Sequence, residues 1–449
     1  MELLRTGDSN VIKIIQKNTV DPQQEYRLSK WVFLCETDDS VALRSTLSKR
    51  VYRLDPAEWA AVCGGDRSLP AFSELAKQRF LVETSFDDNR QYSLVLAVLR
   101  GLERRKRGTD SFTILPTTGC NARCTYCYQD GLAVRTMTPE IADRTAEYIC
   151  AVKWDDPIDL TWFGGEPLCA SPVISRICAV LRERGVEYRS SIVTNGSLFA
   201  PDLIREAVEL WHLESAQVSM DGAREDYEKR KRYLDPARHN YDIVMAAVDN
   251  LAAAGVKVII RCNYDLENLP GVYRFLDECE ERFSQQENVR VKVAGLLHLL
   301  HSPVRTPEAA QQFQALSEYL EKKGMRRNRE PTQRLKSHQC MADSGGASVI
   351  IDPAGGLHTC DNYIGGEPLG SIFDEKQPVW PRLSEPAEEC RNCCFLPDCT
   401  PVFKKQCPFC PSDCRERSIR GGEYTLRKML GEIKVPGEIP VEEDTVPCI

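Results

Sequence analysis

Cys120, Cys124 and Cys127 fall within the thirteen residues "GCNARCTYCYQDG" that run from Gly119 to Gly131. Thiolates so closely spaced are suited to a metal centre. Three of them can hold three irons of a [4Fe–4S] cube and leave the fourth iron without a protein ligand. An open metal position is how a site takes up a reactant directly. The competing readings are a zinc site missing its fourth ligand and cysteines that merely pack. Zinc sites usually come as paired CxxC or CxxH half-sites, and this loop is not built that way. The chain carries 20 cysteines, ten of them between Cys340 and Cys448 and seven between Cys390 and Cys414. The N-terminus, "MELLRTGDSNVIKIIQ", lacks the apolar core and cleavage site of a signal peptide. No stretch approaches the ~18 apolar residues of a membrane span. A cytoplasmic chain is therefore expected, where a disulfide framework is not. Metal or Fe–S ligation is the expected reason for the clustering.

Something must position these thiols. From Ser111 onward, strand-like runs alternate with helical patterns: "SFTILPTT", "IDLTWFGG", "YRSSIVTN", "ESAQVSMDG", "VKVIIRCNY" and "VRVKVAGLL" are separated by segments such as "TPEIADRTAEYICAV", "SPVISRICAVLRERG", "PDLIREAVELW" and "YDIVMAAVDNLAAAG". Six β/α units in series predict an α/β fold with a parallel sheet, a partial (β/α)6 TIM-like barrel over residues 111–325. In such barrels chemistry sits at the C-terminal ends of the strands, and the three-cysteine loop follows the first strand. Residues 1–110 read as a small α+β module. It has β-like runs, "EYRLSKWVFLCET" and "SVALRSTLSKRVYRL", then a helix in "DPAEWAAV" with Asp55 as N-cap and Pro56 at its first position. A cysteine-rich domain over 338–432 and a tail over 433–449 complete the chain. A net charge of −8 argues against a nucleic-acid partner. The basic runs Arg104–Arg107 and Arg326–Arg329 read as solvated faces. No membrane partner is expected.

CxxxCxxC after the first strand of a partial barrel, with Tyr126 before the third cysteine, resembles the radical S-adenosylmethionine (radical SAM) enzymes. The resemblance implies that the amino and carboxylate groups of S-adenosylmethionine chelate the unique iron. An electron from the reduced cluster then cleaves a carbon–sulfur bond, and a 5′-deoxyadenosyl radical removes a substrate hydrogen. "FGGEP", with Gly164, Gly165 and Glu166, resembles the family motif that receives the cofactor's ammonium group; alone, Gly-Gly-Glu reads as a turn. "VTNG" and "SMDG" end the next two strands, so Asn195 and Ser219 join the implied cofactor set, and Lys231 stands where relatives carry the basic residue for the cofactor carboxylate. For Asn195 and Asp221 a structural role, bonding strand-end backbone, is equally compatible.

The second cysteine field resembles the SPASM extension of radical SAM enzymes that modify peptides and proteins. Cys340, Gly355 and Cys360 read C-x14-G-x4-C, and Cys390, Cys393 and Cys399 read C-x2-C-x5-C. The extension implies two auxiliary [4Fe–4S] clusters. Cys340, Cys360 and Cys407 go to the first, and Cys390, Cys393, Cys399 and Cys414 to the second, with Cys410 unassigned. One departure is Phe403, which occupies the usual position of the sixth cysteine. The first cluster then has only three clear ligands, which is compatible with an open iron for a substrate thiolate. Cys394 and Cys448 are read as structural or surface residues. Cys35, Cys63, Cys150, Cys169, Cys178, Cys262 and Cys279 are read as small core hydrophobes. Asp361 follows a cluster ligand, as does the catalytic base of the related anaerobic sulfatase-maturing enzymes; a loop cap is the alternative. The N-terminal stretch "TLSKRVYRLDPAEW" is similar to the winged-helix-like module by which peptide maturases bind a leader through edge-strand addition. The alternative is a domain that simply covers the barrel. Together these imply a maturase of a ribosomally made precursor peptide with a leader, installing a thioether or carbon–carbon cross-link and fed by an electron donor such as ferredoxin or flavodoxin. A sulfatase-type maturase forming formylglycine is the second reading, and an iron–sulfur carrier without turnover is the third.

Overall fold

The computed structural model describes residues 1–17, 20–21, 23–103, 108–154, 157–296, 341–361, 364–381 and 388–398, with short pieces between 315 and 335 and between 419 and 431. The first module contains β1 (Glu2–Arg5), α1 (Ser9–Ile15), β2 (Tyr26–Leu28), β3 (Val32–Glu36), β4 (Val41–Ser45), β5 (Val51–Leu54), α2 (Pro56–Cys63), α3 (Pro70–Lys77), β6 (Leu81–Glu83) and α4 (Asp88–Glu103). Four strands form an antiparallel sheet in the order β1-β5-β4-β3, and β2 pairs with β6. "SVALRSTLSKRVYRL" is thus a hairpin of β4 and β5, closed by Lys49 at φ 63°. Asp55 caps α2 as its position predicts, its carboxylate accepting the Glu58 N–H at 2.8 Å. Helix α4 was not expected from the sequence. It packs Tyr92 and Val95 on Val11, Ile15 and Trp31.

The barrel strands are β7 (Ser111–Thr117), β8 (Ile158–Gly164), β9 (Tyr188–Thr194), β10 (Leu213–Met220), β11 (Lys257–Tyr264) and β12 (Val289–Gly295). They pair in parallel, each with the next in sequence. Helices α5 (Pro139–Val152), α6 (Ser171–Glu183), α7 (Pro201–Glu209), α8 (Arg224–Lys231), α9 (Tyr241–Ala253) and α10 (Leu269–Phe283) connect them. The outward side chains Phe112, Ile114, Leu160, Trp162, Ile192, Val218 and Ile260 bury against these helices in one core. The alternate positions Leu115 and Phe163 face inward and meet Ile350. The sheet is larger than six strands. Residues 348–371 return as β13 (Ser348–Ile351), β14 (Gly356–His358) and β15 (Gly370–Ser371). Strand β13 pairs in parallel with β7, giving nine strands in the order β12-β11-β10-β9-β8-β7-β13-β14-β15. An open barrel leaves β7 with an unpaired edge, and the cysteine-rich segment covers it.

Candidate functional site

The three-cysteine loop leaves β7 at Thr117 and is tied down by backbone at both sides. Thr118 N–H donates to the Arg135 carbonyl at 2.9 Å, and Gly119 N–H to Thr117 Oγ1 at 2.9 Å. The far side docks on the end of α8, where carbonyls have no partner within the helix. Arg123 N–H reaches the carbonyls of Lys231 and Arg232 at 3.2 and 3.0 Å, and Thr125 N–H reaches that of Arg230 at 3.0 Å. A tight turn follows, with Cys127 N–H on the Cys124 carbonyl at 3.2 Å. Cys120 and Cys124 are part-buried and Cys127 is exposed. Burial pushes the Cys120 thiol up to about 12 and raises Cys124, which Lys231 opposes. Among the described residues no three His, Cys, Asp or Glu side chains converge as ligands of a single ion. Thiolates bound to different irons of a cube stand further apart than ligands sharing one ion.

Gly164 and Gly165 end β8 directly against this loop. Gly164 has φ 127°, and a Cβ there would lie 2.2 Å from the Thr117 carbonyl oxygen; one on Gly165 would lie 2.4 Å from that of Gly119. Only glycine lets the two strand ends close, with Glu166 N–H bonded to the Gly119 carbonyl at 2.9 Å. Glu166 is fully buried. Its Oε1 accepts from Thr194 Oγ1 at 2.7 Å and Leu168 N–H at 3.2 Å, and its Oε2 from Asn195 N–H at 2.7 Å. Burial raises its carboxyl, against the pull of those donors. A carboxylate has about four acceptor sites, so one lone pair of Oε2 remains. Asn195 in turn donates to Asn121 Oδ1 at 2.8 Å, inside the cysteine loop.

Lys231 and Tyr126 meet in a second network. The Tyr126 hydroxyl donates to Asp221 Oδ1 at 2.5 Å, and Asn263 Nδ2 reaches the same oxygen at 3.2 Å. Lys231 Nζ donates to Ser219 Oγ at 3.0 Å and Tyr126 Oη at 3.2 Å, with Asp221 Oδ2 at 3.5 Å. Both Lys231 and Asp221 are buried. Burial works against the ammonium, yet Asp221 and Tyr126 hold it well above its ordinary value. The expected cofactor residues Tyr126, Ser219 and Lys231 are therefore brought together, around an aspartate that already engages two of them. The Asp221 carboxylate bonds side chains rather than strand-end backbone, whereas Asn195 Oδ1 does accept a backbone N–H, that of Ser197, at 3.0 Å.

The cysteine-rich segment comes to the same mouth. Cys360 is buried beyond β14, its thiol donating to Asp361 Oδ1 at 3.5 Å. Ile364 packs on the inward Leu115, Phe163 and Ile350, and Gly365 sits against Leu132, just past the cysteine loop. Asp361 acts electrostatically on Tyr128 and on Arg261. Arg261 was missed in the sequence. It lies on β11 in register with Ser219 of β10 and Lys292 of β12, and its Nε donates to Asn263 Oδ1 at 3.1 Å. Burial lowers the guanidinium, while Tyr126, Tyr128, Asp221 and Asp361 oppose that. Strand alternation around Cys262 was the one available signal, since Val258, Ile260 and Cys262 are outward core and Arg261 must face in.

Cys390, Cys393 and Cys394 are part-buried in one loop. Cys340, Cys399, Cys407, Cys410, Cys414, Cys448 and Phe403 lie outside the described residues, as does the tail 433–449. Of the cysteines read as core, Cys35, Cys178, Cys262 and Cys279 are buried. Cys63 and Cys169 are exposed and Cys150 is intermediate. Cys169 departs from that reading because the turn after Glu166 carries it to the cysteine loop, where its charge would act on Cys120.

Three thiols in one loop, a glycine pair with no room for a side chain, and an unspent acceptor on Glu166 fit an iron–sulfur cluster with a cationic ligand beside it. Residues 114–271 match the model of the Radical SAM superfamily, and this barrel is a radical SAM domain; members of that superfamily are iron–sulfur enzymes. Among solved structures the chain is similar to a sulfatase maturase, native anSMEcpe with bound AdoMet, at TM-score 0.57 and 19% identity over 72% of this chain and 98% of that one. The same protein with AdoMet and the Cp18Cys peptide gives TM-score 0.56 and 18% identity over 72% and 98%. Streptococcus suis SuiB bound to precursor peptide SuiA gives TM-score 0.50 and 11% identity over 84% of this chain and 95% of that one. At these identities the likeness is one of fold. No curated protein matches the chain by sequence. Among the described residues, no helix is long and apolar enough to cross a membrane.

Proposed function

We propose that the chain is a radical SAM peptide maturase that installs a thioether or carbon–carbon cross-link in a ribosomally made precursor peptide. The observation that carries this reading is the packing of the Asp361 loop against the cysteine loop at one barrel mouth. It brings together a cofactor position and a carboxylate from a separate segment. Cys120, Cys124 and Cys127 would hold a [4Fe–4S] cluster, which with S-adenosylmethionine would supply the radical chemistry that removes a substrate hydrogen. Glu166 and the strand-end carbonyls would take the cofactor's ammonium group and Ser219 and Lys231 its carboxylate, while Asn195 orients the loop through Asn121. Tyr126 locks the loop to the barrel through Asp221. Arg261 and Tyr128 line the approach from the side of Asp361. Asp361 holds the place of a base that takes a proton from the substrate after hydrogen abstraction.

Two solved folds that resemble this one contain bound peptides, Cp18Cys and SuiA, which supports a peptide substrate. The N-terminal sheet supports a leader-reading role, because among the described residues β1 is an edge strand of that sheet, the kind of element on which an extended peptide can add. Asp361 beside Cys360 also supports the sulfatase-type reading, in which a Cys or Ser becomes formylglycine. Auxiliary clusters at the second cysteine field and a ferredoxin- or flavodoxin-type donor belong to either reading. The test is anaerobic incubation of reduced, reconstituted protein with S-adenosylmethionine and candidate peptides encoded beside its gene. Formation of 5′-deoxyadenosine with a peptide that has lost two hydrogens supports the cross-link. Conversion of a thiol or hydroxyl to an aldehyde supports the second reading, and no 5′-deoxyadenosine overturns both.

A further inference from the structure

The loop of Cys390 to Asp398 contains one turn of helix, Glu388–Arg391, and a single tight turn, Leu396–Asp398. So little regular structure leaves the loop dependent on what it packs against. That partner is the N-terminal module. Phe395 packs its ring at a tilt on Phe33 of β3, centroids 4.9 Å apart, in a cluster with Cys35, Ala42 and Val51 that Cys393 and Cys394 border. Leu396 packs with Trp31 and Leu47, and Cys390 borders that group.

Polar contacts follow the same line. Lys30 Nζ donates to the Arg391 carbonyl at 2.7 Å, and Thr46 Oγ1 to the Cys394 carbonyl at 2.5 Å. Lys49 Nζ reaches the Pro397 carbonyl at 3.3 Å and pairs with Asp398, which also takes Arg44 Nη1 at 2.6 Å. The side chains of Lys49 and Arg44 are only 4% and 9% exposed. Two buried cations on one carboxylate carry a desolvation cost that apolar side chains would avoid, and what they add is a fixed place for Asp398. Lys49 also adopts the left-handed backbone that a bulky residue rarely takes, at φ 63°. A glycine would close that turn with less strain but would carry no ammonium.

We propose that the N-terminal module is a structural half of the second auxiliary-cluster site: the β4–β5 hairpin, through Arg44, Thr46 and Lys49, holds the Cys390–Asp398 loop in its ligating conformation. The proposal rests on reading Cys390 and Cys393 as cluster ligands. The module then has two duties, and cannot be removed as a detachable leader-binding domain. Cluster ligands must be held by a supporting shell whose own rotamers are locked, and Lys49 and Arg44 supply it from another part of the chain.

The experiment uses the full chain, reconstituted anaerobically. Iron per chain is measured, and so is the rate at which reduced protein releases iron to bathophenanthroline. A Cys390→Ser/Cys393→Ser variant should lose about four irons, one cube. Lys49→Met should fail to retain that same pool, while the iron held at Cys120, Cys124 and Cys127 stays. Thr46→Val, which keeps the side-chain shape and removes the hydroxyl that lies between the Cys394 and Trp31 carbonyls, should release the pool roughly tenfold faster, the upper worth of one buried hydrogen bond. Arg53→Met, on the neighbouring strand but away from the loop, should behave as the parent. If the cysteine variant keeps its iron, the ligand reading falls. If that variant loses the pool but Lys49→Met and Thr46→Val hold it at the parental rate, the proposal is overturned.

Discussion

In a Lys231→Met variant the Asp221 carboxylate stays buried and loses its cation. Removing one partner of a buried ion pair costs about 3–5 kcal/mol, mostly because the other charge is left uncompensated. Asp221 keeps the Tyr126 hydroxyl at 2.5 Å and the Asn263 amide at 3.2 Å on Oδ1. The cost should therefore fall at the lower end, about 3 kcal/mol. For a domain of this size each kcal/mol shifts the melting temperature by ~2–4 °C, so the barrel should melt ~6–12 °C lower. Adding Asp221→Asn removes the stranded charge and should recover at least half of that loss. Melting of metal-free protein, followed through the buried Trp162 and Trp211, reads this without any cofactor. The pair also has a pH signature. Because the folded-state value of Lys231 is raised, its stabilisation is complete below the ordinary lysine value of about 10.4 and is lost only as pH rises past it. The melting difference between parent and variant should then be constant from about pH 7 to 9. S-adenosylmethionine affinity of reconstituted protein is the separate readout. If Lys231 receives the cofactor carboxylate, the double variant binds weakly despite its recovered stability. A single variant that melts within ~2 °C of the parent would refute the buried-pair argument.

Three further outcomes follow from the site. Replacing Cys120, Cys124 and Cys127 with Ala should remove about four of roughly twelve irons and abolish 5′-deoxyadenosine formation, measured by iron analysis and chromatography. Gly165→Ala places a Cβ 2.4 Å from the Gly119 carbonyl, so it should displace the cysteine loop and lower iron retention there, while Gly101→Ala on α4, where nothing lies near, should leave iron content unchanged. Asp361→Asn should still form 5′-deoxyadenosine while modified peptide falls by roughly 10²–10⁴-fold, the worth of a positioned base; equal losses of both products would point to a damaged cluster, and no loss in either would reduce Asp361 to a loop cap.

The strands of the barrel could be read from the sequence because burial on one face repeats every second residue. Phe112, Ile114, Leu160, Trp162, Val258 and Ile260 all obey that rule. Helix α8 could not, because "REDYEKRK" has no apolar stripe. Its function in the fold is to end beneath the cysteine loop, whose N–H groups donate to its last carbonyls, and to bury Arg230 and Lys231 against aspartates. Strands β13 to β15 are two to four residues long, and the pairing of β13 with β7 spans more than two hundred positions of sequence. No local periodicity reports such a contact.

The same division runs through the site. Cys120, Cys124 and Cys127 stand out by type and spacing, and the Gly-Gly-Glu run only by its place at the end of a strand beside them. What holds them does not. Glu166 is committed to Thr194 and Asn195, so it fastens β8 to β9. Tyr126 is committed to Asp221, so it fastens the loop to β10. Arg261 joins the mouth only because the register of β10 and β11 sets it opposite Ser219. Each fastening links strands that are neighbours in the sheet but far apart in sequence. Through them the mouth behaves as one unit: a change at Asp221 reaches the thiols through Tyr126, and a change at Glu166 reaches them through Asn195 and Asn121. The reactive residues are thus legible one at a time, while their geometry belongs to the order of the strands.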